Sequence, residues 1–164
     1  MSVETPVEVV VERHIREAIG VHDEFREMAK VVTIDAIVPI KKADKLELAQ
    51  IGGWSVIVGK GLYEVGQKVI YCEIDALLPM NNPLFSFLAE RHGNLRQLES
   101  GIYYRLKTIR MRGELSQGLV VPIPEGIDDI ETQTALKLGV LKYVTQQEVA
   151  KREGIDAILE SKDR

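Results

Sequence analysis

The segment Tyr103-Tyr104-Arg105-Leu106-Lys107-Thr108-Ile109-Arg110-Met111-Arg112-Gly113-Glu114-Leu115-Ser116-Gln117-Gly118-Leu119 decides the fold class. Residues 103–111 have the composition of a β-strand, but their apolar alternation does not hold one register. Leu106 lies on the even face, whereas Ile109 and Met111 lie on the odd face. A β-bulge near Thr108 reconciles the two halves, and strongly bent barrel strands use bulges in this way. Gly113 and Gly118 then bracket a polar turn. The same segment carries Arg105, Lys107, Arg110 and Arg112 with no acid among them.

Outward from this segment the chain reads as short strands. Val32, Ile34, Ala36 and Val38 share one face of a strand that Pro39 helps to end. Residues 46–51 alternate as a second strand, Gly52-Gly53 turns the chain, and residues 54–58 form a third. Residues 68–74 are apolar and strand-like, 84–92 predict a short helix stopped by Gly93, and 119–122 give a last short strand. A small closed barrel solves the edge problem of such strands. The expectation is therefore a mainly β chain: an OB-fold, a five-stranded Greek-key barrel over 30–126 with a short helix before the fourth strand. Residues 1–29 predict a helical N-terminal extension, although 7–11 alone also fit a strand. Residues 127–164 predict a helical linker, with a polar helix over 145–162.

The totals bound the function. A chain of 164 residues with 45% hydrophobic and 28% charged content can bury a core without disulfides or a metal. The single cysteine, Cys72, lies in an apolar run and reads as a buried thiol, which fits an intracellular setting. No run approaches the ~20 apolar residues of a membrane span, and the N-terminus lacks a signal-peptide layout. Residues 91–112 hold six Lys or Arg against Glu99 alone, a local charge of +5 in a chain of −4, so the remainder carries −9. Such polarisation favours a directed electrostatic face.

Two readings fit the basic segment. Arg and Lys suit phosphate oxygens, Arg as a planar fork and Lys as a mobile point charge, with Tyr103, Tyr104, Tyr63 and Trp54 available as stacking faces. Alternatively, the face is solvated, with Arg110 and Arg112 paired to Glu73 and Asp75. The Glu73/Asp75 pair itself reads as structural, because no further acid or histidine is spaced to assist it. His14, His22 and His92 are scattered, so no metal site is expected. Gly59-Lys60-Gly61 lacks the rest of a phosphate loop and reads as a bend whose Lys60 can face a ligand. Ser116-Gln117, held between glycines, can expose backbone N–H groups. Lys151-Arg152-Glu153-Gly154 has the Lys-x-x-Gly spacing of a nucleotidyl-accepting lysine but follows a helical pattern, so no catalytic residue is expected in this chain.

Three motifs occur in order: Pro39-Ile40-x-x-Ala43-Asp44-Lys45-Leu46-Glu47-Leu48-Ala49 with Gly53-Trp54-x-Val56; Lys60-Gly61-x-Tyr63-x-x-Gly66 leading to Tyr71-x-Glu73-Ile74-Asp75-x-x-Leu78-Pro79; and Leu106-Lys107-Thr108-x-Arg110-Met111-Arg112-Gly113-x-x-Ser116-Gln117-Gly118-Leu119-x-x-Pro122. Together they resemble the N-terminal OB domain of the Deinococcus-type nick-sealing RNA ligases, the fifth RNA ligase family. Leu138-Gly139-Val140-x-Lys142-Tyr143 resembles the junction that follows that domain. The resemblance implies a parent enzyme that uses ATP and a divalent metal (Mg or Mn) to seal 3'-OH/5'-phosphate nicks. A nucleotidyltransferase domain would follow in the C-terminal direction, and the OB domain would engage nicked duplex RNA or an RNA-containing duplex. On this basis the chain alone is expected to be non-catalytic and to need no cofactor of its own. Lys107, Arg110, Arg112, Ser116 and Gln117 match motif positions. Arg105 and Lys60 join them as nucleic-acid-binding candidates from the charge reading. A stand-alone tRNA-binding OB module, or a barrel that docks a separate catalytic subunit, are the rival expectations.

Overall fold

The computed structural model describes residues 10–11 and 27–143. In chain order its strands are β1 (Val10–Val11), β2 (Ala29–Thr33), β3 (Ala36–Pro39), β4 (Leu46–Ile51), β5 (Trp54–Gly59), β6 (Lys68–Cys72), β7 (Ala76–Pro79), β8 (Leu95–Leu98), β9 (Gly101–Arg105), β10 (Ile109–Met111), β11 (Glu114–Ser116), β12 (Leu119–Val121) and β13 (Leu141–Lys142). One short α-helix, α1 (Thr134–Leu138), precedes β13 among the described residues. The ladders form four sheets, β12-β6-β2, β3-β4-β5, β1-β8-β9-β7-β13 and β10-β11.

The expected first strand is two half-strands. At Ile34-Asp35 the chain bends and changes partner, so β2 pairs with β6 and β3 with β4. Single backbone bonds hold the corner: Ile34 N–H to Gln67 O at 2.9 Å, Gly66 N–H to Ile34 O at 2.8 Å and Asp35 N–H to Gln50 O at 2.8 Å. One strand thus serves two sheets, the device by which packed sheets turn a corner. On the other side, Gln117 N–H donates to Ser55 O at 2.8 Å, and Ile57 N–H donates to Ser116 Oγ at 2.9 Å. These bonds tie β5 to the end of β11 without a continuous ladder. The arrangement is therefore four ladders stitched by isolated bonds, and not the closed five-stranded Greek-key ladder expected from the pattern.

β6 separates two apolar cores. Val69 and Tyr71 face one, with Ile34, Ala49, Ile51, Val56, Val58 and Val120. Ile70 and Cys72 face the other, with Phe85, Tyr104, Leu106, Val121 and Leu138. Both faces are buried, which is why this strand reads as a continuous apolar run and not as an alternation.

The helix expected over 84–92 is a pair of 3-10 turns, Ser86–Glu90 and His92–Asn94, set between β7 and β8. Its bonds run i to i+3, as in Leu88 N–H to Phe85 O at 3.0 Å and Arg91 N–H to Leu88 O at 3.0 Å. Such a short segment gains too few hydrogen bonds to offset α-helix nucleation. Phe85, fully buried, anchors it. β8 itself was not expected, because Arg96 and Gln97 interrupt its apolar pattern; its pairing with β9 makes it a strand.

Of the N-terminal extension, Val10–Val11 pairs in parallel with β8, in keeping with the strand alternative for 7–11. The rest of its expected helix, the helix expected over 145–162 and Lys151 lie outside the described residues. Within 127–143, Ala135, Leu138 and Val140 pack into the second core. Gly139, at φ 80°, ends α1 in the left-handed conformation, with Val140 N–H bonded back to Ala135 O at 2.9 Å. At the start of α1, Glu27 Oε1 accepts Ala135 N–H at 3.1 Å.

Gly118 sits where β12 meets β6, at φ 134°. A Cβ there would meet the Tyr71 ring and lie 2.6 Å from Cys72 O. Gly118→Ala is expected to cost about 2–4 kcal/mol, from forbidden backbone plus overpacking. Gly113→Ala, also at positive φ but with open space around it, is expected to cost about 1 kcal/mol. Urea unfolding of both variants measures the contrast. Tyr71 also gives the fold a pH signature. Its hydroxyl donates to Gln117 O at 2.6 Å, and burial, reinforced by Glu73 and Cys72, pushes its pKa from 10.0 up to about 12. Below the unfolded value both states hold the proton and the contribution is complete. As pH rises from there toward the folded value, the unfolded chain releases its proton first and stability falls. Urea midpoints across this range are expected to drop in the parent chain and to drop less steeply in Tyr71→Phe.

Candidate nucleic-acid interface

β10 and β11 form a hairpin in the register Ile109↔Ser116, Arg110↔Leu115 and Met111↔Glu114. Its two-residue loop is Arg112-Gly113, at φ 55° and 80°. Two successive positive φ values are the signature of a type I′ turn, whose twist matches the strands it joins. Residues directly opposite share a face. Ser116 points inward, is buried and accepts from β5. Arg110 and Leu115 occupy the opposite face and are exposed.

The hairpin reaches toward the loop between β3 and β4. Arg112 Nη1 donates to Lys42 O at 3.4 Å. Lys42 belongs to a turn closed by Ala43 N–H to Ile40 O at 3.1 Å. At the same edge, Lys60 N–H donates to Lys45 O at 2.9 Å, and Gly61 N–H donates to the Glu47 carboxylate at 2.9 Å. Exposed Lys41, Lys42, Lys45 and Lys60 therefore join Arg112 at one end of the molecule, with Arg110 two residues down the hairpin. Among the described residues none of these six forms an ion pair. Asp44 and Glu114 are the acids on the same loop and hairpin. Lys60, Arg110 and Arg112 are among the candidates read from the sequence; Lys41, Lys42 and Lys45 are not, and their signal is the lysine run in the loop before β4.

The other candidates go elsewhere. The strand expected over 103–111 is broken, not bulged: β9 ends at Arg105, and residues 106–108 carry the chain out of that sheet. Asp75 N–H to Leu106 O at 2.7 Å and Leu106 N–H to Ala76 O at 2.9 Å hold the departure point. Lys107 is exposed in this link. Arg105 stays behind. Its Nε and Nη2 both lie 3.0 Å from Asp75 Oδ1, and its guanidinium stacks 3.5 Å from the centre of the Tyr143 ring. Tyr143 N–H in turn donates to Asp75 O at 2.8 Å. Arg105 thus clamps the residues around β13 to β7. Glu73 pairs with Lys30 at 3.6 Å, so the alternative pairing of Arg110 and Arg112 with Glu73 and Asp75 does not form.

Ser116 Oγ, Gln117 N–H and Gln117 O all bond within the fold, to Ile57, Ser55 and Tyr71. Their backbone is spent on closing the structure, not on an open nest. Tyr103 and Tyr104 are buried, bonded to Ser100 at 2.7 Å and Asn94 at 2.9 Å, and offer no stacking face. Tyr63 packs against the first core. Trp54 is 48% exposed, but it begins β5, at the end away from Lys60. Cys72 is buried, and burial pushes its thiol pKa up, away from reactivity. Among the described residues no three His, Cys, Asp or Glu side chains gather as a metal site, and no helix is long and apolar enough to cross a membrane.

The family model described as the PHA02142 OB-fold domain matches residues 28–123, the span from the start of β2 past β12. The chain belongs to this OB-fold family. Its fold is similar to that of Naegleria gruberi RNA ligase. A lysine-to-alanine mutant of that enzyme with ATP and Mn is 30% identical over 72% of this chain, with a TM-score of 0.64. A lysine-to-methionine mutant with AMP and Mn is 30% identical over 74% of this chain, with a TM-score of 0.65. The enzyme with PPi is 29% identical over 73%, with a TM-score of 0.63. In each case the match covers 36% of the ligase chain, so this OB-fold chain corresponds to about a third of those proteins. No curated protein matches it in sequence.

The Arg105 clamp separates structure from binding. Arg105→Ala is expected to destabilise the OB-fold by about 1–2 kcal/mol, through loss of a charge-assisted bond and a stacked cation. Arg105→Lys, which lacks the fork, is expected to recover less than half of that. Denaturant midpoints measure both.

Proposed function

We propose that this chain is the nucleic-acid-engaging OB domain of an ATP-dependent RNA ligase of the Deinococcus type, the N-terminal partner of a nucleotidyltransferase domain. One observation carries the reading: 30% identity to an RNA ligase across nearly three quarters of the chain. The free cations of the β10–β11 hairpin supply the surface. OB-folds hold oligonucleotides through one barrel face and the loops beside it, and in this reading the hairpin and the β3–β4 loop serve as those loops.

In this reading residues 30–126 are the OB module, 1–29 an N-terminal extension, and 127–164 the start of the path toward the catalytic domain. Lys60, Lys107, Arg110 and Arg112 hold phosphates of a nicked duplex containing RNA, and the Ser116-Gln117 corner sets the angle of the hairpin. ATP and a divalent metal would act in the nucleotidyltransferase domain and would supply the adenylyl-transfer chemistry there. The OB domain positions the duplex beside that chemistry. It imposes little sequence preference, because phosphate contacts position and do not specify.

Three or four phosphate contacts predict that log affinity falls against log salt with a slope of roughly −2 to −4. Anisotropy with a labelled nicked RNA duplex across a salt series measures it. The paired reversal Arg110→Glu with Arg112→Glu is expected to weaken binding at least about tenfold at low salt. Unchanged affinity, or a flat salt response, removes the proposal. If tRNA displaces the nicked duplex at much lower concentration than unlabelled duplex does, the stand-alone tRNA-binding module takes its place.

A further inference from the structure

Three residues other than glycine take positive φ among the described residues: Lys42 at 66°, Asp75 at 74° and Arg112 at 55°. Asp75 sits in the Arg105 clamp. The other two are both cations, both exposed and in contact with each other, through Arg112 Nη1 and Lys42 O. Neither turn selects such a residue. The 40–43 turn has positive φ at its third position, the type II pattern, which favours Gly or Asn there. The hairpin loop has positive φ at both positions, which favours Asn-Gly. Left-handed backbone is strained for Lys and Arg, free for Gly and better tolerated by Asn. Strain kept at two adjoining surface turns, when a single substitution would relieve each, points to a role for the side chains that impose it.

We infer that Lys42 and Arg112 are the two prongs of one phosphate clamp, built for the paired backbone of a nucleic-acid duplex. The inference rests on the nucleic-acid-binding reading above and identifies what this surface grips. Arg112 uses one N–H on the Lys42 carbonyl, which ties the two turns together and leaves the remaining donors of its guanidinium available. The Lys42 ammonium has no acid partner among the described residues. A grip on phosphates with bases still paired needs cations and no π-faces, whereas sequence-tolerant grips on unpaired strands add aromatic stacking. Among the described residues the two nearest candidates for a stacking face are engaged or remote: Tyr63 is partly buried against the core, and Trp54 begins β5 at its far end. Lys41 extends the row along the loop.

The test measures stability and binding on the same variants of the full chain, because the clamp predicts opposite signs. Lys42→Asn and Arg112→Asn each relieve a strained turn and are expected to raise Tm by about 2–4 °C. Each is expected to weaken binding of a nicked RNA duplex by about three- to tenfold and to make the salt slope shallower by about 1. Either variant lowering Tm, or raising Tm with affinity and slope unchanged, overturns the clamp. An unpaired strand of the same length binding as tightly as the duplex overturns it too. Arg110→Glu, off the clamp but on the hairpin, separates the clamp from the wider basic surface. If it weakens binding while the asparagine variants do not, the OB-fold reading stands and the clamp falls. If none of the three changes binding, both fall.

Discussion

The strand β6 is buried on both faces, and the rest of the molecule is arranged around that constraint. Val69 and Tyr71 complete one core while Ile70 and Cys72 complete the other, so no face of the strand is left for water. Its neighbours must be strands that also bury both sides or that change partners. β12 does the first, sending Val120 to one core and Val121 to the other. The β2–β3 segment does the second, bending at Ile34-Asp35 to leave β6 for β4. Gly118 is the point where this packing leaves no room for a Cβ, because the Tyr71 ring and Cys72 carbonyl occupy the space.

That constraint reaches the basic surface through the same few atoms. The Tyr71 hydroxyl holds the Gln117 carbonyl, Ser55 holds the Gln117 N–H, and Ser116 accepts from Ile57. These bonds fix the base of the β10–β11 hairpin to both the interior and β5. The hairpin itself buries little, so its direction is inherited from this anchor. Its tip is thereby delivered to the β3–β4 loop, where Arg112 meets Lys42. A polar turn between two glycines looked like a place to bind a ligand through backbone N–H groups. It serves instead as the hinge-pin that aims cations carried by its neighbours.

Elements with local signatures were legible. β4 and β5 are apolar runs joined by Gly52-Gly53, so their pairing needs no distant partner. The apolar run over 68–74 was legible as a strand, and burial on both sides explains why it did not alternate. β8 and β13 were not legible, because Arg96 and Gln97 dilute one and the other is two residues long. Each is a strand because a neighbour offers it a ladder. The broken register around Thr108 was visible, but a bulge and a complete break leave the same pattern. Only the sheet assignments of β9 and β10 separate them.

Arg105, Lys107, Arg110 and Arg112 are a cluster of charge by composition alone, and the Gly113 turn and the family resemblance of their segment are properties of the chain. Those features sufficed to mark a basic segment in an OB-fold chain that resembles an RNA ligase. Which cations remain free was decided by the tertiary structure. Arg105 is drawn to Asp75 and Tyr143, thirty and thirty-eight positions away in the chain, while Lys42 is brought to Arg112 from seventy positions away. Charge belongs to the residue, but exposure and pairing belong to its neighbours, and those neighbours are distant in sequence. The basic strand therefore divides into one cation that holds the fold together and others left facing solvent.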